Sequence, residues 1–445
     1  MITKAFIKRY NTLVPRYTSY PPASTWKKCD STAYIQALPA IASPISLYIH
    51  IPFCPAICLY CGCSSIPLHN KEQIKKYIQT LCQEVTLIQT LIGKTSIHQI
   101  HLGGGSPSLL SKSALEQIFS SIKSHFHIEE NAEISIEIDP RNVYQTKKLE
   151  TFKNIGFNRI SLGIQDLNDT VQTAIGRYQS EKVSKAVFLQ AKRLGFSSIN
   201  VDLIYGLPCQ TAITFTSTIK KIAALHPDRI ALFSFAYLPE IKPHQRKIQK
   251  DLLPTPEEKF HLYHDAKNNL LSYGYKTIGI DHFAAPSDPL FTHLKNKTLR
   301  RTFQGYTSVP STTLIGLGIT SITSLEADYF QNTKDLNTYY KMIANKTPAT
   351  SRGITLSHDD MTRRWVIEQI LCFGSIDKNR FNQRWGLCFD RYFEKELALL
   401  TPLIEDGLVE ISTASIHATK LGSFFLRNIA SCFDTYTHTI CSRAI

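Results

Sequence analysis

The chain has 445 residues, of which 43% are hydrophobic and 19% charged, an ordinary composition for a soluble globular protein with a large core. Its net charge of +14 attracts polyanions, but no block of five or six basic residues occurs, so the charge permits a nucleic-acid partner without arguing for one. Eleven unevenly spaced cysteines exclude a regular disulfide framework, and no apolar run has the roughly 18 residues of a membrane span, so we expect a cytoplasmic protein.

Residues 1–45 are predicted to form an N-terminal arm. Prolines bracket Pro15–Pro22, which favours an extended segment over a helix. The simpler interpretation is a surface leader that packs where it can. The alternative is an arm that closes over a carboxylated, aromatic ligand, in which the guanidinium of Arg16 forms a bidentate pair with a carboxylate.

A run of closely spaced cysteines follows the first predicted strand. The apolar segment Ile45–Ile51 ends at a proline, and Cys54, Cys58, Cys61 and Cys63 come within the next twelve residues. Structural zinc sites usually need two separated pairs of ligands, and no second pair of cysteines follows this run later in the sequence. Three thiolates in C-x3-C-x2-C spacing suit an iron–sulfur cube with one open iron, while a reduced structural cluster of cysteines is the alternative.

From residue 46 to 345, short β-branched runs alternate with amphipathic helical patterns. This alternation predicts a parallel α/β architecture, either a barrel or an open sheet. The predicted strands are Ile45–Ile51, Ile97–Leu102, Ile134–Ile138, Arg159–Leu162, Ser198–Ile204 and Ile230–Phe235. The predicted helices are Lys75–Leu91, Ser113–His125, Thr146–Ile155, Lys182–Leu194 and Phe215–Leu225.

In such barrels the chemistry lies at the carboxyl ends of the strands. The informative residues follow this rule: Cys54, Gly103–Gly105, Glu137, Gln165, Asp202 and Ala236. The glycine run could let backbone amides approach a ligand, or it could be a tight strand-to-helix turn. Glu137, Asp202 and Arg177 each need a partner, which could be a ligand's hydroxyl or ammonium group or an ordinary salt bridge.

Residues 346–445 are predicted to form a mostly helical C-terminal domain. Helical patterns at Asp359–Phe373 and Phe393–Leu400 precede a hairpin-like pair, Gly407–Ile411 and Ile416–Thr419. Helices followed by a small wing indicate a winged-helix-like appendage. Such a domain could bind nucleic acid, and a lid over the barrel mouth is equally consistent.

Taken together, several segments resemble one family. They are Tyr48–Cys54, Cys61–Cys63, Gly103–Pro107, Ile136–Arg141, Leu162–Asp166, Asp202–Pro208 and Phe303–Thr307, with the Pro15–Pro21 arm and the Asn428–Tyr436 tail. The family is that of the oxygen-independent coproporphyrinogen III oxidases, which are radical S-adenosylmethionine (SAM) enzymes of haem biosynthesis. The resemblance covers nearly the whole chain and implies a partial (β/α) radical-SAM barrel. A related haem chaperone, which binds haem without oxidase activity, typically lacks the arm and has Phe at the position of Cys63.

The resemblance also implies roles for individual residues. Cys54, Cys58 and Cys61 would hold a [4Fe–4S] cluster, and Tyr48 and Cys63 would be catalytic, with Cys63 free near the substrate. Positions around the cluster-bound SAM correspond to Tyr48, Gly104, Glu137 and Ile322. Positions around a second SAM molecule correspond to Tyr60, Gly105, Ser106, Gln165, Arg177, Asp202 and Ala236. Two departures are mild, since Tyr60 can be Phe and Ser106 is commonly Thr in the family.

The implied reaction is oxidative decarboxylation of two propionates of coproporphyrinogen III to vinyl groups, giving protoporphyrinogen IX. The reduced cluster would cleave SAM to a radical that takes a hydrogen atom, carbon dioxide would leave, and an unidentified acceptor would take one electron. The electron donor is also unidentified. We expect a monomer with no nucleic-acid partner, in which Arg16 pairs a substrate carboxylate. The alternatives are the haem chaperone and a radical SAM enzyme acting on RNA.

Overall fold

The computed structural model describes residues 3–309, 313–436 and 442–444. In the arm the elements are α1 (Lys4–Tyr10), β1 (Leu13–Val14), β2 (Lys27–Lys28) and α2 (Ser31–Ala37). None of the helices in the described ranges combines the length and the apolar character that a bilayer crossing requires.

The central region carries the strands and helices that were predicted to alternate. Its first half contains β3 (Ile45–Ile51), β4 (Phe53–Cys54), β5 (Ile66–Pro67), α3 (Lys71–Ile92), β6 (Ser96–Gly104), α4 (Lys112–His125), β7 (His127–Ile138), α5 (Lys148–Ile155), β8 (Arg159–Gln165), α6 (Asp169–Ala174), α7 (Glu181–Arg193), β9 (Ser198–Tyr205), α8 (Ala212–Ala223) and β10 (Arg229–Ser234). Its second half contains α9 (Pro256–Ser272), β11 (Lys276–Ile278), β12 (His282–Ala284), α10 (Pro289–Lys295), β13 (Arg300–Thr302), β14 (Gly305–Thr307), β15 (Leu314–Leu317), β16 (Ile322–Ser324), β17 (Asp328–Asn332) and α11 (Leu336–Ala344).

The C-terminal region is mostly helical. It contains β18 (Thr350–Thr355), α12 (His358–Phe373), β19 (Ser375–Asp377), α13 (Lys378–Trp385), α14 (Phe389–Tyr392), α15 (Glu394–Leu399), α16 (Thr401–Glu405), β20 (Val409–Ile411), β21 (Ser415–Ala418), α17 (Leu426–Ser431) and β22 (Ser442–Arg443). The predicted wing is confirmed as a three-stranded antiparallel sheet in the order β19-β21-β20.

The main sheet is a partial barrel. Six parallel strands lie in the order β10-β9-β8-β7-β6-β3, which confirms the six predicted strands. Beyond β3 the sheet continues through β15, β16, β17, β18 and β2, and beyond β10 it continues through β12 and β11. Its two edge strands are β2 and β11, so the barrel is not closed. The sheet extends past residue 345 through β18 and takes in β2 of the arm, while the domain boundaries themselves stay a prediction.

Each parallel strand presents two different faces. In β3 the side chains of Ile45, Leu47, Ile49 and Ile51 are fully buried in the hydrophobic core. The alternate positions are polar, and Tyr48 is in register with His101 of β6, which is in register with Ser135 of β7. Because side chains alternate along a strand, the apolar set packs under the helices and the polar set shares the opposite face.

The arm is fixed against the C-terminal region rather than lying on the surface. As predicted, Pro15–Pro22 is neither helix nor strand, but Tyr17 and Tyr20 are only 5% and 2% exposed. Tyr17 Oη donates to Asp434 Oδ2 (3.0 Å), and both tyrosines belong to a core cluster with residues of α12 such as Trp365. The arm is therefore part of the core of the C-terminal region.

A buried carboxylate ties α3 to the antiparallel half of the sheet. Glu84 accepts hydrogen bonds from Gly318 N (2.7 Å), Asn332 Nδ2 (2.7 Å) and Tyr339 Oη (2.8 Å). Burial nevertheless raises the pKa of Glu84 to about 7. One side chain thus satisfies donors from three separate segments.

Replacing Glu84 with Ala leaves these three buried donors without an acceptor. We expect Glu84→Ala to lower the free energy of unfolding by about 3 kcal/mol or more, measured by urea denaturation. Gln83→Ala is the matched control, because Gln83 lies exposed on the same helix, and it is expected to change stability by about 0.5 kcal/mol or less. Equal effects of the two substitutions would contradict this role of Glu84.

Candidate active site

The cysteine loop begins at the carboxyl end of the first barrel strand. Cys54 ends β4, which pairs in parallel with β5 on the far side of the loop. Cys58 is buried, Cys54 and Cys61 are half-buried and Cys63 is exposed, and all four are free thiols. Burial and the nearby sulfurs of Cys61 and Cys58 raise the pKa of Cys54 to about 12. The three predicted ligands therefore share one small region.

The glycine turn holds this loop in place. Gly105 N donates to Ile51 O (2.8 Å), and Ser106 N donates to Phe53 O (2.9 Å). A Cβ at Gly105 would lie 2.6 Å from Pro52 O, and Gly104 has a φ of +115°. Only glycine accommodates both the close approach and the left-handed backbone. The protein's own packing thus requires these glycines, whatever further ligand role they have.

Tyr48 and Glu137 belong to one hydrogen-bonded network that includes two histidines. Burial lowers the pKa of His50, and its Nε2 donates to Ser64 O (2.8 Å), so its Nδ1 accepts from Tyr48 Oη (3.1 Å). The ring of Tyr48 stacks on that of His101, whose Nε2 lies 3.3 Å from Glu137 Oε1. Glu137 Oε2 accepts from Gly104 N (2.9 Å).

The carboxyl of Glu137 is held in its ionised form. Burial raises the pKa of Glu137, but the hydrogen bonds from His101 and Gly104 outweigh it and leave the pKa below its ordinary value. The sequence interpretation identified Glu137 and missed both histidines. A signal was available for His101, because it occupies the same strand face as Tyr48, two residues before the glycine run.

Arg177 connects the cysteine loop to two strand ends. Its Nη1 lies 3.7 Å from Cys58 Sγ and donates to Asp139 Oδ2 (3.0 Å), while its Nη2 donates to Gly163 O (2.7 Å). Its Nε is buried without a hydrogen-bond partner. Arg141 Nη2 also lies 4.0 Å from Cys58 Sγ. Two guanidinium groups therefore stand beside one predicted ligand sulfur.

Gln165 and Asp202 occupy the ends of neighbouring strands. Gln165 has a φ of +70°, and its Oε1 is buried without a partner. Asp202 accepts from Ser161 Oγ (2.8 Å) and Asn200 Nδ2 (2.7 Å), yet burial raises its pKa to about 6. A non-glycine residue in the left-handed region together with an orphaned buried amide oxygen is typical of a ligand-binding position.

Three further predicted residues, Tyr60, Ser106 and Ala236, lie around the same loop. Tyr60 O and Ala236 O both accept from Gln245 Nε2 (3.3 and 3.2 Å), and Ser106 Oγ accepts from Asn142 Nδ2 (2.9 Å). Ile322 lies at the start of β16, beside Gly316 of β15, which is in register with Tyr48 of β3, and it packs against the cluster of Trp26, Tyr329 and Leu356.

A segment after β10 supports the cysteine loop from outside the sheet. Lys242 Nζ donates to Cys63 O (2.9 Å), and His244 Nε2 donates to Cys61 O (2.8 Å). Nothing in the sequence pattern pointed to these residues, because they bond backbone carbonyls about 180 residues away. The loop is thus held by its carbonyls, which leaves its sulfurs available.

The donor set fits an iron–sulfur cluster better than a single metal ion. Within residues 3–309, 313–436 and 442–444, no three His, Cys, Asp or Glu side chains are arranged to hold a metal ion. In a cube each thiolate binds a different iron, so the ligating sulfurs stand further apart than around one ion. Three free thiols on one loop, beside the cationic groups of Arg177 and Arg141, are a ligand set that suits such a cluster.

A cavity opens beside the barrel at the opposite ends of the strands. It lies among Ser46 and Gln99 at the start of β3 and β6, Tyr17 and Tyr20 of the arm, and Phe303.

Comparisons with known proteins agree with this geometry. Residues 48–222 match the Radical SAM superfamily, and residues 356–425 match the HemN C-terminal domain. The chain is 40% identical to the oxygen-independent coproporphyrinogen III oxidases of Salmonella typhimurium and Escherichia coli, over 97% of this chain and 95% of each relative. A similar enzyme of Synechocystis is 40% identical over 97% of this chain and 94% of its own length. The solved structure of the Escherichia coli coproporphyrinogen III oxidase, described as a radical SAM enzyme, superposes with a TM-score of 0.91 at 40% identity, covering 95% of this chain and 97% of that one.

The role of the three cysteines can be tested by anaerobic reconstitution with iron and sulfide. We expect Cys54→Ala, Cys58→Ala and Cys61→Ala each to abolish the visible absorbance of a [4Fe–4S] cluster, because a cube cannot lose one of three protein ligands and keep its geometry. Cys63→Ala and Cys82→Ala, the latter on α3, are expected to retain the cluster. A cluster that survives replacement of any of the first three residues, or is lost with Cys63, would contradict the assignment.

Proposed function

The chain belongs to the family of oxygen-independent coproporphyrinogen III oxidases, and we propose that it catalyses the reaction for which that family is named. It converts two propionate side chains of coproporphyrinogen III to vinyl groups with loss of carbon dioxide, giving protoporphyrinogen IX. The observation that carries this proposal is the full-length similarity, which includes the arm and the C-terminal region as well as the barrel.

Cys54, Cys58 and Cys61 hold the [4Fe–4S] cluster in this proposal, and SAM binds beside it. When bound, these two groups supply a radical able to break an unactivated C–H bond. The chain's own task near the cluster is electrostatic. The guanidinium groups of Arg177 and Arg141 offset part of the negative charge of three thiolates, which would otherwise be costly to bury.

Tyr48, Gly104, Glu137 and Ile322 position the first SAM. Glu137 is ionised and lies beside the glycine turn, so it can accept hydrogen bonds from an ammonium or from ribose hydroxyls. The tyrosine ring is fixed from both sides, by the hydrogen bond to His50 and by the stack on His101. A fixed ring and a fixed carboxylate reduce the ordering that binding would require.

A second SAM would lie among Tyr60, Gly105, Ser106, Gln165, Arg177, Asp202 and Ala236. Two features support a polar ligand here, namely the partnerless Oε1 of Gln165 and the partnerless Nε of Arg177. The raised pKa of Asp202 also fits a carboxyl whose polar partner arrives with a ligand. Cys63 lies at the exposed end of the cysteine loop and faces the substrate in this proposal.

We also propose that the protein acts as a monomer in the cytoplasm, with an electron donor and an electron acceptor that are not identified. One chain supplies every residue of the proposed site. The ten described cysteines are free thiols, which suits a reducing compartment.

The activity is tested by incubating reconstituted protein anaerobically with SAM, a reductant and coproporphyrinogen III. We expect protoporphyrinogen IX to form together with two equivalents of carbon dioxide per substrate. Cys58→Ala should form none, because the cluster is lost. Stoichiometric haem binding without vinyl product would overturn the proposal in favour of a haem chaperone.

The position of SAM is tested separately at Glu137. We expect Glu137→Gln to weaken SAM binding to the reconstituted protein by about tenfold or more, measured by equilibrium dialysis, because a neutral amide replaces a charged acceptor. Glu130→Gln is the matched control, since Glu130 is exposed on the same strand. Unchanged SAM affinity in Glu137→Gln would place SAM elsewhere.

A further inference from the structure

A second cavity lies apart from the residues proposed for SAM. It is enclosed by the ends of β9 and β10 at Tyr205 and Ser234, by α9, and by the C-terminal segment around Arg427. None of its described lining residues belongs to the two SAM sets. It nevertheless adjoins them, because Arg16 Nη2 donates to Ser234 O (2.6 Å), two residues before Ala236.

The cavity carries an excess of positive charge. Guanidinium groups of Arg16, Arg301 and Arg427 line it, and Asp281 is the one carboxylate among its described lining residues. Arg427 donates to the backbone carbonyls of Val14, Pro15, Ser442 and Arg443, so its charge is solvated by neutral groups. Enclosed cationic groups outnumbering their counter-charges are costly unless an anion compensates them.

A neighbouring lysine responds to the same positive field. Lys259 Nζ donates to Phe235 O (2.8 Å). Burial, reinforced by Arg16 and Arg427, lowers the pKa of Lys259 to about 7. An anion placed in the cavity would relieve this repulsion.

Arg301 is the least satisfied of the three arginines. Its side chain is 7% exposed, and its Nε and Nη1 are buried without a hydrogen-bond acceptor. Asp281 Oδ1 lies 3.6 Å from Nη1, beyond hydrogen-bond distance, and the guanidinium lies over the ring of Tyr306 at 4.8 Å. Arg301 also lines the larger cavity beside the arm, so it forms part of the wall between the two spaces.

We infer that Arg301, together with Arg16, binds a carboxylate of the substrate that does not react. This inference rests on the proposed function. Coproporphyrinogen III has four propionates, of which two are decarboxylated and two persist as carboxylates in the product. An arginine fork pairs with a carboxylate through two parallel hydrogen bonds, and this cavity offers two such forks beside the segment that leads to Ala236. Binding a propionate that persists in the product there would orient the macrocycle so that a reacting propionate faces the cluster held by the cysteine loop.

The alternative is that Arg301 only forms a structural ion pair with Asp281. The two interpretations differ in what the substitution of Arg301 changes. A carboxylate anchor contributes equally to the ground state and the transition state, so its loss raises KM and leaves kcat nearly unchanged. A structural ion pair would change stability and leave KM unchanged.

The test uses full-length reconstituted protein carrying Arg301→Gln. We expect KM for coproporphyrinogen III to rise about tenfold or more, with kcat within about twofold of the parent protein. Arg301→Lys should recover part of the lost affinity, because the lysine ammonium keeps the positive charge but cannot form the two parallel hydrogen bonds of a guanidinium. The matched control is Arg9→Gln, which removes one positive charge from an exposed arginine paired with Asp406 and should leave KM unchanged.

A second readout does not depend on turnover. Binding of coproporphyrin III, the oxidised form of the macrocycle with the same four carboxylates, is measured by fluorescence quenching. We expect Arg301→Gln and Arg16→Gln each to weaken it about tenfold, while SAM binding and cluster absorbance stay as in the parent protein. Should Arg301→Gln fail to fold, Arg16→Gln decides, because within the described part of the chain the Arg16 side chain donates only to a backbone carbonyl and a serine hydroxyl.

The outcomes separate this inference from the proposed function. Unchanged KM and unchanged coproporphyrin affinity in the arginine variants, with vinyl product still formed, would overturn the carboxylate anchor alone. A parent protein that forms no vinyl product but binds coproporphyrin through Arg301 would overturn the proposed function and leave the anchor standing.

Discussion

The close contact between the glycine turn and the cysteine loop is the constraint on which the site depends. The strands β3 and β6 are parallel neighbours. Beyond their last paired residues, Gly105 N and Ser106 N donate hydrogen bonds to backbone carbonyls beside the cysteine loop. A Cβ at position 105 would lie 2.6 Å from Pro52 O, so any other residue would push the loop away. The same turn offers Gly104 N to Glu137, which fixes the carboxylate in relation to the cysteines. These contacts therefore hold the cysteine loop, the glycine turn and the Glu137 carboxylate in fixed positions relative to one another.

Electrostatics and packing divide the barrel into complementary faces. The face toward the helices is aliphatic, while the opposite face carries Ser135, His101, Glu137, Ser161 and Asp202 in hydrogen-bonded pairs. Arg177 extends this network to Cys58 and Asp139. The ionisable groups are mostly partnered within the protein. Two of the buried polar atoms that have no hydrogen-bond partner, Gln165 Oε1 and Arg177 Nε, lie where a ligand is proposed.

The sequence predicted the barrel well because its strands and helices alternate with clear periodicity. All six strands lie within three residues of their predicted ends, except that β7 starts seven residues before Ile134, where charged residues hide the strand pattern. The cysteines, Glu137 and Gln165 could be recognised because each follows or ends such a strand. His50 could not, since a histidine within a strand is more often a satisfied core residue, whereas His101 could have been noted from its place on the same strand face as Tyr48. Lys242 and His244 were beyond prediction because they bond backbone carbonyls of a distant segment. Ile322 was identified by resemblance alone, and its contacts with the cluster of Trp26, Tyr329 and Leu356 have no counterpart in a local pattern.

The joining of the chain's two ends has a consequence for the order in which the protein is completed during synthesis. Arg427 donates hydrogen bonds to the backbone carbonyls of Val14 and Pro15, and β1 pairs with β22 near the last residue. The arm leaves the ribosome before Arg427 and β22, so it cannot make these contacts until those later segments follow. The cysteine loop and its strands are available for cluster loading well before that moment. The arginine-lined cavity, which Arg16 and Arg427 both line, can therefore close only after the C-terminal segment has been made, later than the strands that carry the cysteine loop.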